Sequence, residues 1–368
     1  MNILHLSSDF LYTPLYLELL GRIERDGISN IMYSPVAYHT VHVKLPANII
    51  ISECFHKYDS IFYGLKQRKI LRDILCRFSM EQFGLLHAHF LFSNGLTAMR
   101  IKERYKIPYV AAVRNTDLNI FFKRMLHLRK TGLRILKEAC QVVFLSSAYR
   151  EQLLQDYVPR NLHSEILDKS TIIPNGIDAF WLTNRNHPKK LADGRKIRII
   201  AAGTIEKNKN HLTTIEACRL LQKRSFDVEF VIVGQSLDEA LLARLMQESF
   251  VRYVSNQPKE DLIKLYRESD VFVMPSIQET FGLVYAEAIS QGLPLIYTRG
   301  QGFDQQFDDG EVGYSVNCFD SVEIAEKILT ICNDYSAMSE RCIAGANRYD
   351  WNKIAQMYLQ MYQNCSRC

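Results

Sequence analysis

The sequence contains no apolar run long enough to cross a bilayer, which excludes a helical membrane span. Its opening residues, MNILHLSSDF, lack a basic stretch followed by a long apolar one, so they read as a first buried strand rather than a secretory leader. No G-x-G-x-x-G follows the first strand of either half, which removes the dinucleotide fingerprint of a dehydrogenase. Repeats of solenoid period and low-complexity tracts are absent as well. Metal-ligand patterns are equally scarce. Asp308-Asp309 is not a D-x-D at a strand end, and the nine cysteines include one close pair, Cys365 and Cys368, with no ligand histidine beside it. No metal and no cofactor are therefore expected. The pair is read as a tail feature, and the thiols as small buried hydrophobes in a reducing compartment.

What is present describes a soluble α/β protein. A chain of 368 residues is too long for one ordinary core, and its 47% hydrophobic and 23% charged content is that of a globular protein. In the C-terminal half, short apolar runs begin at IRIIAAG (197–203), VEFVIVG (228–234), VRYVS (251–255), VFVMPS (271–276), LPLIYT (293–298) and VGYSVN (312–317). Amphipathic segments separate them. Continuous apolar strands alternating with helices indicate a parallel sheet covered on both faces, with its ligand site at the carboxyl ends of the strands. The N-terminal half repeats the theme with NILHLSS (2–8), VHVKL (41–45), LLHAHF (85–90), PYVAAVR (108–114) and QVVFLS (141–146), and with helices over 93–106 and 118–139. The expected organisation is a domain over 1–182, a polar linker over 183–196, a second domain over 197–350, and a last helix in 351–368.

Charge is unevenly divided. Residues 1–180 carry 23 Lys and Arg against 16 Asp and Glu, a balance of +7; the remainder carries 22 against 24, or −2. The excess is densest in RIKERYK (100–106) and KRMLHLRKTGLRILK (123–137). The second stretch reads either as a solvated helix face or as a helix resting on anionic lipid.

The chemistry concentrates in PSIQETFGLVYAEAISQGLP (275–294). A buried strand ends at Met274-Pro275-Ser276, a loop carries Glu279, and a helix begins after Thr280-Phe281-Gly282. The unpaired amides of Phe281, Gly282 and Leu283 at that helix start, with the helix dipole, favour a phosphate. Glu287, within the helix, is placed to reach a hydroxyl beside it.

The segment E-T-F-G-L-V-Y-A-E resembles the E-x₇-E signature of the retaining glycosyltransferases of family 4, which have the GT-B fold of two Rossmann-like doubly wound domains facing across a cleft. Ala202-Gly203 followed by Lys209-Asn210, Pro174-Asn175-Gly176-Ile177-Asp178, the H-x-H of His87-Ala88-His89, and Asp350-Trp351 before the last helix resemble further elements of that family. The resemblance implies a nucleotide-sugar donor, UDP- or GDP-linked, in the second domain and a glycan or lipid-linked glycan acceptor on the first. Glu279 would face the donor sugar and Glu287 the ribose. Lys209 would lie on the diphosphate with Gly203, Thr204, Thr280, Phe281, Gly282 and Leu283. His89, Arg114 and Asp117 would stand on the acceptor side, and the last helix would cross back to the first domain. The implied setting is the cytoplasm, at the inner face of the membrane, without nucleic acid.

Three departures accompany the resemblance. Thr204 stands where the family usually has an arginine, with Lys207 or Arg299 as substitutes for its charge. Arg114 occupies the place of a common histidine. The loop Ser7-Ser8-Asp9-Phe10 lacks the usual glycines. Two other readings stay open: an epimerase or phosphorylase on the same fold, and a degenerate transferase that binds a glycan or nucleotide without turnover.

Overall fold

The computed structural model describes residues 1–12, 15–25, 27–39, 45–191 and 195–365. They form two compact units, Met1–Leu145 with Tyr149–Pro174 and Trp351–Cys368, and Ser146–Ala148 with Asn175–Asp350.

The first unit is built on strands β1 (Asn2–Leu6), β2 (Ser29–Ala37), β3 (Ile49–Phe55), β4 (Leu85–Ala88), β5 (Tyr109–Ala112), β6 (Gln141–Phe144) and β7 (Ser170–Ile172). They make one sheet in the order β3-β2-β1-β4-β5-β6-β7, parallel throughout. The central strands are buried along their length because helices cover both faces. On one face the helix Trp351–Cys365 packs with Leu15–Arg25 through Trp351, Ile354, Tyr358 and Tyr362.

The second unit holds β8 (Lys196–Ala202), β9 (Asp227–Val233), β10 (Val251–Val254), β11 (Val271–Val273), β12 (Leu295–Thr298) and β13 (Gly313–Val316). Their order, β10-β9-β8-β11-β12-β13, is the doubly wound arrangement, with the reversal between β8 and β11. Loops leaving the carboxyl ends of those two strands therefore diverge around a crevice.

Several expectations change. The strand placed at 41–45 lies, apart from Leu45, outside the described residues, and Leu45 is in no strand. The strands flanking it, β2 and β3, were not anticipated. β2 carries Asn30, Ser34 and Pro35, a composition that argues against a strand, yet its buried Asn30 is satisfied by His5 and by the Ile28 carbonyl.

The helix expected over 118–139 is broken into a π-helical turn (Asp117–Phe122), a 3-10 turn (Leu126–Leu128) and a helix (Arg129–Glu138). At the break, Arg129 Nε donates to the Phe122 carbonyl at 2.7 Å, replacing a lost backbone partner.

The described part of 183–196 is no tether. The Lys189 amide donates to Ser339 Oγ at 2.9 Å, its ammonium to the Ser269 carbonyl, and Arg185 to Asn347 at 2.6 Å. Polar contacts of this kind leave no apolar periodicity to read. The division between the units falls at Pro174 and Asn175.

Cys365 is likewise no loose tail residue. It is buried on the last helix and forms a disulfide with Cys140, 225 positions away. Cys368 lies outside the described residues.

Candidate active site

Two loops of the second unit build the site. The first leaves β8 through Gly203 and Thr204, makes a 3-10 turn over Lys207–Lys209, and enters the helix His211–Lys223 through Asn210. The second leaves β11 and reaches the helix Leu283–Ser290. Asn208 joins them. Its Nδ2 donates to the Gln278 carbonyl at 2.9 Å, its Oδ1 accepts the Gln278 amide at 3.0 Å, and its carbonyl accepts the Ile277 amide at 2.8 Å. The Glu279 amide donates to Gln301 Oε1 at 3.0 Å, and the Gly302 amide to the Glu279 carbonyl at 2.9 Å. Gly302 is required there because a Cβ would stand 2.0 Å from the Thr280 carbonyl oxygen.

This clamping brings Lys209 Nζ to 2.8 Å from Glu279 Oε2, with both side chains largely withdrawn from solvent. They line one cavity of about 360 Å³ with Asn175, Ala202, Gly203, Thr204, Thr280, Phe281, Gly282, Leu283 and Val284. Among the described residues, the amides of Phe281, Gly282 and Leu283 find no acceptor. Gly282 makes this possible with φ +73°, a left-handed turn in which its amide leads into the helix. Lone amides at a helix start beside a lysine make a seat for an anion.

Glu287 lies further along that helix and does not line the cavity. Its carboxylate has no hydrogen-bond or ion-pair partner among the described residues. Burial first, and then the charge of Asp178, push it up to about 7. Thr204 donates to Glu206 at 3.3 Å. Neither proposed substitute for its missing charge stands at the cavity: Lys207 is exposed, and Arg299 is held by Glu323 at 2.6 Å and by the Ser315 carbonyl at 3.1 Å.

The residues assigned to the first unit are buried more deeply than the acceptor role implies. Asp117 is fully buried, and its carboxylate accepts the amides of Leu91, Phe92 and Arg114 at 3.2, 3.0 and 2.9 Å. It ties the ends of β4 and β5 together, with burial holding its carboxyl up at about 6. Arg114 contacts Asp117 through its backbone. Its side chain donates to the His89 carbonyl at 3.2 Å and bonds the Tyr358 hydroxyl.

His89 belongs to a buried trio with His5 and His87, whose ring nitrogens lie within 4.8 Å of one another. Asn30 uses Nδ2 on the Ile28 carbonyl, so its Oδ1 accepts from His5 Nε2 at 3.0 Å. His5 Nδ1 is then the acceptor for His89 Nε2 at 3.0 Å, and His87 Nδ1 meets the Tyr362 hydroxyl at 2.7 Å. Burial drives all three well below the usual histidine range and keeps them neutral. Three imidazoles so close are a set able to hold a metal ion, which chain spacing conceals because the parallel pairing of β1 with β4 is what brings His5 opposite His87.

Residues 183–349 match the model of glycosyl transferases group 1, and residues 18–179 match that of glycosyltransferase family 4. The D-inositol 3-phosphate glycosyltransferase of Corynebacterium kroppenstedtii is 25% identical over 311 residues, 77% of this chain and 68% of its own. A glycogen synthase of Mycobacterium tuberculosis is 24% identical over 77% of this chain and 69% of its own. Among solved structures, sucrose-phosphate synthase from Thermosynechococcus elongatus superposes with a TM-score of 0.76 at 16% identity, covering 99% of this chain and 98% of that one. Anabaena HepE in complex with UDP-glucose gives 0.68 at 15% identity, covering 99% of each. The chain is a GT-B glycosyltransferase of the family 4 type.

For this glycosyltransferase, sequence reasoning missed Asn208 and Gln301, and it named Asn175 only within the P-N-G-I-D segment, without a place at the cavity. Asn208 sits in K-N-K-N, where the charged lysines beside it carry the stronger local signal. Gln301 reaches Glu279 from another loop, and no local pattern announces that contact.

Proposed function

We propose that this glycosyltransferase takes a UDP- or GDP-linked hexose and transfers the sugar, with retention at the anomeric carbon and without a metal ion, to a hydroxyl of a glycan or lipid-linked glycan. The observation that carries the reading is the Lys209–Glu279 pair beside three amides without acceptors. In the reaction the bond between the anomeric carbon and the diphosphate oxygen breaks, and the acceptor oxygen bonds that carbon on the same face. The acceptor proton leaves toward the departing diphosphate. Negative charge grows on that diphosphate, where the Lys209 ammonium and the helix-start amides supply fixed positive charge. Glu279, held against Lys209, borders the reacting sugar; Glu287 accepts from the ribose hydroxyls. The UDP-glucose complex of the structurally similar HepE supports the donor class.

Among the described residues no helix is long and apolar enough to cross a membrane. A lipid-linked acceptor would then be met at the inner membrane face, polysaccharide assembly being the matching process, with the basic stretch 123–137 near the lipid.

Incubation with UDP- and GDP-sugars labelled in the hexose tests the reading. Label in an acceptor product of unchanged anomeric configuration supports it. Label left in an epimerised nucleotide sugar, or calorimetry with no binding of UDP or GDP, counts against it.

A further inference from the structure

One surface of the first unit combines features that a solvated face does not need. Tyr58, Ile61, Phe62 and Leu65, around the start of the helix Tyr63–Arg77, are 81, 75, 65 and 43% exposed. Four large apolar side chains within eight residues form an exposed patch of the kind that marks an interaction site.

The segment is firmly fixed. The Tyr63 hydroxyl donates to the Phe92 carbonyl at 2.8 Å and its ring lies against Phe121. Gln67 donates to the Ser93 carbonyl at 3.0 Å and accepts from Thr97 at 2.8 Å. With Tyr63 and Gln67 holding the inner side, Ile61 and Phe62 are left on the outer one.

Beside them is a cavity of about 570 Å³. Its floor is apolar, through Leu96, Met99 and Leu128, and Ile61 and Phe62 form one lip. Arg100, His127 and Arg134 line the same cavity. Arg134 is paired with Glu103 at 2.7 Å; Arg100 and His127 have no ion-pair partner among the described residues. His127 belongs to the stretch 123–137, which holds Lys123, Arg124, Arg129, Lys130, Arg134 and Lys137 and no carboxylate. Lys123, Arg124 and Lys130 are exposed and likewise lack an ion-pair partner among the described residues. Ile61 and Phe62 thus share one cavity with His127 and Arg134 of the basic stretch, whose other exposed cations lie within a few residues of them in the chain.

We propose that this face docks on an anionic phospholipid bilayer, with Ile61 and Phe62 entering the acyl boundary and the basic rim meeting lipid phosphates. The inference deepens the reading of a membrane-borne acceptor and rests on it. It also shifts the anchor: the helix Arg129–Glu138 supplies charge, and the apolar insertion comes from a different element. A protein partner would need carboxylates complementary to the basic stretch together with a hydrophobic socket for the lip. An anionic lipid surface offers both at once.

The test is flotation of the full chain with vesicles of phosphatidylcholine alone or mixed in equal parts with phosphatidylglycerol, without nucleotide. Binding is expected only to the mixed vesicles and is weakened by salt. Ile61→Ser with Phe62→Ser should lower the partition coefficient by roughly tenfold or more, since two large side chains lose their apolar burial. Lys123→Gln with Arg124→Gln and Lys130→Gln should lower it by a further tenfold or more. Unchanged thermal midpoints and UDP or GDP binding would show that these exposed substitutions leave the fold and the donor site intact. Equal partition of parent and variants, or a dimer in sedimentation that the Ile61/Phe62 variant abolishes, would overturn the proposal. Loss of nucleotide binding in the parent with lipid binding retained would instead overturn the transferase reading alone.

Discussion

Asn208 binds Gln278 in both directions, donating to its carbonyl and accepting from its amide, and so locks the lysine-bearing loop to the glutamate-bearing one. The adjacent residues on the two loops are Lys209 and Glu279, so their 2.8 Å separation is set by a neighbour that carries no charge. Asn208→Ala removes two hydrogen bonds of roughly 1 kcal/mol each. Transfer at saturating donor should fall about tenfold or more, since small misplacement of reacting groups is expensive. The thermal midpoint should shift by only a few degrees. A rate equal to the parent's would remove Asn208 from the positioning role.

Glu279→Ala is expected to lower the transfer rate by about a hundredfold or more, as removal of a group acting at the reacting centre does. Nucleotide affinity should persist or rise, because Lys209 is then released from its ion pair. Lys209→Ala should weaken UDP or GDP binding. Calorimetry beside transfer assays separates the two effects; equal loss of binding in both variants would place Glu279 on the nucleotide rather than the sugar.

Glu287 gives a pH dependence with a definite sign. Its folded-state pKa, about 7, lies above the ordinary value of 4.5, so between these values the folded state holds a proton that the unfolded state has lost. The contribution to stability is present below about pH 4.5, falls as pH rises toward 7, and is lost above it. Glu287→Gln should remove this slope and make the variant more stable than the parent above pH 7, by on the order of 1 kcal/mol after allowance for partial solvent access. Chemical denaturation of both proteins from pH 5 to about 8 measures it; parallel curves would mean that the carboxyl is ionised throughout.

The Cys140–Cys365 bridge predicts two fewer titratable thiols in unfolded, unreduced protein than in reduced protein. Reduction, or Cys140→Ser with Cys365→Ser, should cost about 2–4 kcal/mol of stability, because the bond closes a long loop. A full complement of nine thiols without reductant would show the two sulfurs unbonded as isolated.

Local pattern carried much of this protein. The β-α alternation of the second half follows from continuous apolar runs such as VFVMPS, buried on both sides by the intervening helices. The lone amides at 281–283 are legible because a helix start, a glycine and a preceding buried strand are adjacent in the chain. What only the tertiary structure decided depends on residues distant in sequence. The Lys209–Glu279 pair spans 70 positions, and His5, His87 and His89 converge through strand pairing. Asp117 looked like a site residue and became a brace for the amides of Leu91 and Phe92. The reason is physical: propensity and periodicity act over a few residues, whereas the partner a buried polar group finds is chosen by whichever strand or loop the fold lays beside it.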